Sequence, residues 1–85
     1  MNIELSEQAR EDLCHWNRVD PSRTARIQLL LADIMKTPHS GLGKPEPLKH
    51  DLTGYWSRRI DREHRLVYRL EGETILVASC RYHYR

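Results

Sequence analysis

Between Thr37 and Pro47 the hydrophobic period of this chain changes, and that change restricts the folds open to it. Before the break, apolar residues recur every three or four positions; after it, they alternate. A chain whose first half has the helical period and whose second half has the strand period must layer helices on a sheet.

Asn2 to Leu5 sets Ile3 and Leu5 against polar neighbours, which suits a short strand. Ser6 can cap a helix that places Glu7 where the helix dipole favours an anion. Ala9, Leu13, Trp16 and Val19 then form one apolar stripe. Asp20-Pro21 supplies a second cap followed by a proline in the first turn, where its missing N–H is harmless. Ile27, Leu30, Leu31 and Ile34 form the next stripe, which Met35 widens, and Thr37-Pro38 ends that helix.

The segment "HSGLGKPEP" is a connecting loop in which Pro45 and Pro47 stiffen the backbone around Glu46. Four strands follow, over 48–52, 55–60, 65–70 and 74–82. Turn signals at Thr53-Gly54, Asp61-Arg62-Glu63 and Glu71-Gly72 separate them. The expected fold is α+β: two N-terminal helices packed on one face of a small antiparallel sheet, as a single domain over residues 1–85.

Alternation divides each strand between two faces. Trp56 and Ile60, then Leu66, Tyr68 and Leu70, then Leu76, Ala78, Cys80 and Tyr82 make the expected core set. Arg59, Arg65, Arg81 and His83 fall on the opposite face with Ser57, and Arg58 has to snorkel to the sheet edge. His50 and His64 read as polar strand residues, and Trp16 and Trp56 as core. Cys14 and Cys80 sit in apolar-patterned segments and are expected to be buried free thiols of a reducing compartment. The amino terminus has neither a basic nor an apolar leader region, and "IQLLLADIM" is too short for a bilayer, so a soluble, cytoplasmic protein without membrane contact is expected.

Charge is distributed unevenly. Residues 1–42 carry five basic and six acidic side chains, whereas residues 43–85 carry nine and six. The positive surplus coincides with the arginine face and points to a polyanion such as RNA. The plainer alternative is a solvated face whose arginines pair with Asp61, Glu63 and Glu71. A constrained carboxylate, clustered arginines and a histidine suit cleavage of RNA through its own 2′-hydroxyl. The acid can take the hydroxyl proton, planar guanidinium groups can match phosphate oxygens, and an imidazole can protonate the leaving oxygen. Such chemistry needs no cofactor and no metal. The histidines and cysteines lack zinc-ligand spacing, and "GLGKPEP" lacks the ending of a phosphate-binding loop.

"GKPEPLKHDLTGYWSRRIDREHRLVYRL" and the later "CRYHY" closely resemble the YoeB (Txe/YoeB) family of toxins of type II toxin–antitoxin systems, within the RelE/ParE superfamily. The likeness spans the whole chain and is strongest from Gly41 to Tyr84. It implies a microbial-RNase-like fold and a ribosome-dependent endoribonuclease that cuts mRNA in the A site of the 70S ribosome. It further implies silencing by a YefM-type antitoxin and a homodimer. By that resemblance the general base is Glu46, the phosphate-stabilising group Arg65 and the general acid His83. Lys49, Arg59, Glu63 and Tyr84 line the RNA site. Members commonly end at the tyrosine, and here Arg85 follows it. Two alternatives remain: a ParE-like protein that inhibits DNA gyrase without catalysis, and an RNA-binding module without turnover. Glu46, Arg65 and His83 together favour the nuclease.

Overall fold

The computed structural model describes residues 1–83. Strand β1 (Asn2–Leu5) is followed by helices α1 (Glu7–Val19) and α2 (Pro21–Lys36). Then come β2 (Glu46–Pro47), a 3₁₀ turn (His50–Leu52), β3 (Trp56–Arg59), β4 (Arg65–Glu71) and β5 (Thr74–Ser79). The sheet order is β1-β5-β4-β3-β2. The expected antiparallel meander is present from β2 to β5. The first strand joins it in parallel, with Ile3 opposite Ile75 and Leu5 opposite Val77. The architecture is therefore α+β, two helices on a five-stranded mixed sheet.

Capping follows the sequence. Ser6 Oγ accepts the Ala9 amide at 3.0 Å and donates to the Ala78 carbonyl at 2.6 Å, tying the start of α1 to β5. Asp20 accepts both the amide and the hydroxyl of Ser22 at the start of α2. Ala9 and Trp16 from α1 and Ile27, Leu30 and Ile34 from α2 meet Ile60, Leu66, Tyr68, Ile75, Val77 and Cys80 in one core. Each fully buried Leu or Ile in such a core contributes roughly 1.5–3 kcal/mol.

Several expectations are corrected. The stretch 48–52 is not a strand. The ladder from Glu46 gives way to a 3₁₀ turn closed by Leu52 and Thr53 amides on the Lys49 and His50 carbonyls, with His50 at φ 57°. Glu46 itself lies on β2, an edge strand, where Pro47 leaves no ladder bond unmade. Strand β5 stops at Ser79, before Tyr82. A bulge also reverses its parity: Val67 faces Ser79 while Tyr68 faces Val77. Ile75 and Val77 therefore take the core places expected for Leu76 and Ala78, and the extra residue returns Cys80 to the core. Tyr82 is exposed with φ 64°. Val19 and Met35 lie outside the core at 53% and 38% exposure, and Cys14 is exposed. On α1 the buried position beside Leu13 is Asp12, whose carboxylate accepts the Cys80 amide at 2.9 Å.

Arg58 does not reach solvent; it is fully buried. Its guanidinium bonds Asp33 Oδ2 at 2.6 Å, the Thr37 carbonyl at 2.6 Å, the Ser40 carbonyl at 2.7 Å and the Leu42 carbonyl at 3.2 Å. Its Nε reaches Tyr68 Oη, which donates onward to the Pro38 carbonyl. Burial pushes the Tyr68 phenol up, which keeps it a donor, although Arg58 opposes the effect. A β-carbon at Gly41 would collide with the Asp33 carboxylate, so glycine is required where the loop wraps this arginine. One cation thus fastens the end of α2 and the loop leading to Glu46 onto β3.

Candidate active site

The helices cover one face of the sheet, and Glu46, Arg59 and Arg65 fall on the other. In the ladder Glu46 is opposite Ser57, Ser57 opposite Val67 and Val67 opposite Ser79. Directly opposed residues share a face, so these four make one row. Two residues along, Arg59 is opposite Arg65 and makes a second row on the same face. Strand geometry separates the Glu46 and Arg59 Cα atoms by about 8 Å and those of Glu46 and Arg65 by about 12 Å. A carboxylate and two long guanidinium side chains can converge across such gaps on one phosphodiester.

Ser57, Val67 and Ser79 are buried at 2% exposure each, although Ser57 was expected in solvent. They are small and lie between rows of longer side chains. Arg59 and Arg65 stand on one side; on the other, Arg69 lies over the Tyr55 ring at 5.4 Å. The middle row is thus the floor of a trough.

Arg65 is half-buried, and its Nη1 donates to the Asp61 carbonyl at 3.1 Å. That bond is part of a tight turn between β3 and β4, in which Asp61 Oδ1 accepts the amides of Glu63 and His64, both at 2.8 Å. Burial pushes the Asp61 carboxyl up, but these amides, with the charge of Arg23, bring it net below its ordinary value. Arg23 Nε meets Asp61 Oδ2 at 2.6 Å, and Arg26 bonds the Arg59 carbonyl, so α2 braces the arginine row from behind. Gly43 holds the same strand: its carbonyl accepts the Arg59 amide at 2.7 Å. A side chain at Gly43 (φ 78°) would press on Leu30 and Arg58.

Lys49 is exposed at the start of the 3₁₀ turn and lines a concavity with Glu46, Pro47, Leu48, His50 and Leu52. Glu63 is exposed on the β3–β4 turn rather than in the arginine row. Arg81 and His83 follow the end of β5, so strand parity does not govern them and the expected single face for all four basic residues is not formed by the sheet alone. The tail is attached to the site by another bond: the Arg65 amide donates to the Tyr82 carbonyl at 2.8 Å. His83 is exposed immediately beyond. Tyr84 lies outside the described residues.

Sequence alone sends Arg58 to the sheet edge, takes His64 as a polar strand residue and gives Asp12 no role, whereas the structure makes all three part of the frame. Parity alone did place Arg58 on the helix side; what the sequence lacked was any sign of a partner set for a buried cation. Among the described residues no group of three or more His, Cys, Asp or Glu side chains is arranged to hold a metal. No described helix is long and apolar enough to cross a membrane.

A family model for the YoeB-like toxin of bacterial type II toxin–antitoxin systems matches residues 5–84. Toxin YoeB of Escherichia coli (strain K12) is 48% identical over 84 residues, 99% of this chain and 100% of the relative. A YoeB chain from a heterotetrameric YoeB–YefM complex of Staphylococcus aureus superposes with a TM-score of 0.91 at 47% identity, covering 99% of this chain and 98% of that one. A chain of the YoeB dimer from the same organism superposes at 0.92, again at 47% identity with 99% and 98% coverage. A whole-length match in sequence and in backbone makes this chain a member of the YoeB-like toxins of bacterial type II toxin–antitoxin systems.

Proposed function

We propose that this toxin is a ribosome-dependent endoribonuclease that cleaves mRNA in the A site without a metal. The observation that carries the reading is the ladder register, which puts Glu46, Arg59 and Arg65 on one open sheet face with the His83 tail bonded to Arg65. Glu46 removes the proton of a 2′-hydroxyl, and that oxygen attacks the adjacent phosphorus. Arg65 and Arg59 stabilise the charge that accumulates on the phosphoryl oxygens. His83 gives a proton to the departing 5′-oxygen, leaving a 2′,3′-cyclic phosphate. Lys49, Glu63 and Tyr84 hold the message in register.

Control follows from charge. A YefM-type antitoxin with an acidic segment that orders on binding suits the basic half of this chain. The Staphylococcus aureus relatives, solved with YefM and as a dimer, support both that partner and a homodimer.

The test is cleavage of mRNA on programmed ribosomes by Glu46→Ala and His83→Ala, with the ends mapped with and without ribosomes. Each variant is expected to lose about 10²–10⁴ in rate. Cutting that survives both substitutions would remove the acid–base assignment, and gyrase inhibition without any cutting would make the chain ParE-like instead.

A further inference from the structure

The tail that carries His83 leaves β5 after Ser79 and does not belong to the sheet. Something other than a ladder must hold it, because a general acid has to be within hydrogen-bond reach of the oxygen it protonates. Tyr82 shows where the hold is applied. It is not glycine, yet it adopts φ 64°, a backbone state that persists only where its surroundings enforce it.

The Tyr82 peptide is gripped on both sides by two consecutive residues. Its N–H donates to His64 Nδ1 at 2.7 Å, and its carbonyl accepts the Arg65 amide at 2.8 Å. The first bond specifies a protonation state: Nδ1 can accept only in the neutral imidazole with its proton on Nε2. The ring is in turn held edge-on against Trp16 at 4.8 Å. Trp16 Nε1 donates to the Cys80 carbonyl at 2.8 Å, and the buried Asp12 carboxylate takes the Cys80 amide. Helix α1 therefore fixes the start of the tail, and His64-Arg65 fixes the residue before His83.

We propose that His64 is a positioning residue for the cleavage reaction, its Nδ1 holding the Tyr82 amide and so setting where the His83 imidazole stands relative to Arg65. The inference rests on His83 acting as the general acid. His64 does not touch the message; it joins the phosphate-binding strand to the acid-bearing tail through adjacent residues. Losing the bond leaves the Tyr82 amide without this hold and lets the backbone shift about the Arg65 bond that remains, which re-aims His83. A displacement of about 1 Å at a catalytic group can lower a rate on the order of 10²-fold.

The experiment compares His64→Ala, His64→Asn and His64→Gln in the full-length toxin on programmed ribosomes. In Asn the amide oxygen falls where Nδ1 stands and can accept the Tyr82 N–H; in Gln it lies one bond further out. His64→Ala and His64→Gln should cleave about 10–100-fold more slowly at saturating ribosomes, with the half-saturating concentration within about two-fold of the parent, since binding residues are untouched. His64→Asn should recover to within about five-fold of the parent. Hydrogen exchange at the Tyr82 amide should be fast in the Ala and Gln variants and slow in the parent and the Asn variant.

Equal saturated rates in all four proteins would overturn the proposal, as would a Tyr82 amide equally protected in all of them. If His64→Ala fails to fold, the Asn–Gln contrast decides, together with the nitrogen-15 spectrum of the parent imidazole; a proton on Nδ1 would refute the hold. His83→Ala is the separating control. If it cuts as fast as the parent, the general-acid reading fails whatever the Tyr82 amide shows. If it is inactive while His64→Ala cuts as fast as the parent, only the positioning role falls.

Discussion

Replacing Arg58 with methionine removes a fully buried cation and strands its partners: the Asp33 carboxylate and the carbonyls of Thr37, Ser40 and Leu42. Breaking a buried ion pair from one side typically costs about 3–5 kcal/mol. The three carbonyls belong to exposed residues and can turn partly to water, which puts the expected loss at the low end, about 3 kcal/mol. A domain of this length has a total stability of roughly 4–13 kcal/mol, so the variant loses a large share of it. With a urea slope of about 1–3 kcal/mol per M, the unfolding midpoint should fall by roughly 1–3 M. Arg58→Lys keeps the charge but not the planar fork, and one ammonium cannot serve so many acceptors; it should fall about half as far. Limited proteolysis should find its first cuts within residues 37–43 in both variants. A midpoint shift below about 0.3 M for Arg58→Met, or equal losses for Met and Lys, would refute the argument that the fork geometry fastens the loop.

Two further outcomes can be checked on the same protein. The Leu42 amide, followed by Arg58, holds the Asp33 carboxyl below its ordinary value. A depressed folded value contributes stability that is present above the unfolded carboxylate value, about pH 4, and is lost as pH falls through the folded value. Asp33→Asn should therefore show a shallower decline in urea midpoint from pH 7 to pH 3 than the parent, and parallel declines would exclude this group as a cause. Native alkylation should label Cys14, which is exposed, and reach Cys80 only on unfolding, because its thiol is buried beside the Ala9 carbonyl. Equal labelling rates would contradict the packing of α1 on β5.

The change of period at the proline-rich loop determined the layer order, and Ser6, Asp20, Thr37-Pro38 and Gly72 marked element ends that the structure retains. Those signals are local: a cap or a turn acts through bonds within a few residues of itself. Alternation also put Arg59 and Arg65 together, since both strands obey one pleat and one register. Tertiary structure decided the rest. Parity predicts faces only while a ladder continues, and the bulge at Val67/Tyr68 and the early end of β5 broke it for Leu76, Ala78 and Tyr82. Arg58 could be buried only because the end of α2 and the loop after it offered a carboxylate and three carbonyls from residues 16 to 25 positions away. The neighbourhood of His83 likewise depends on Asp12, Trp16 and His64, separated from it in sequence and joined to its tail by hydrogen bonds that exist only once the chain has closed on itself.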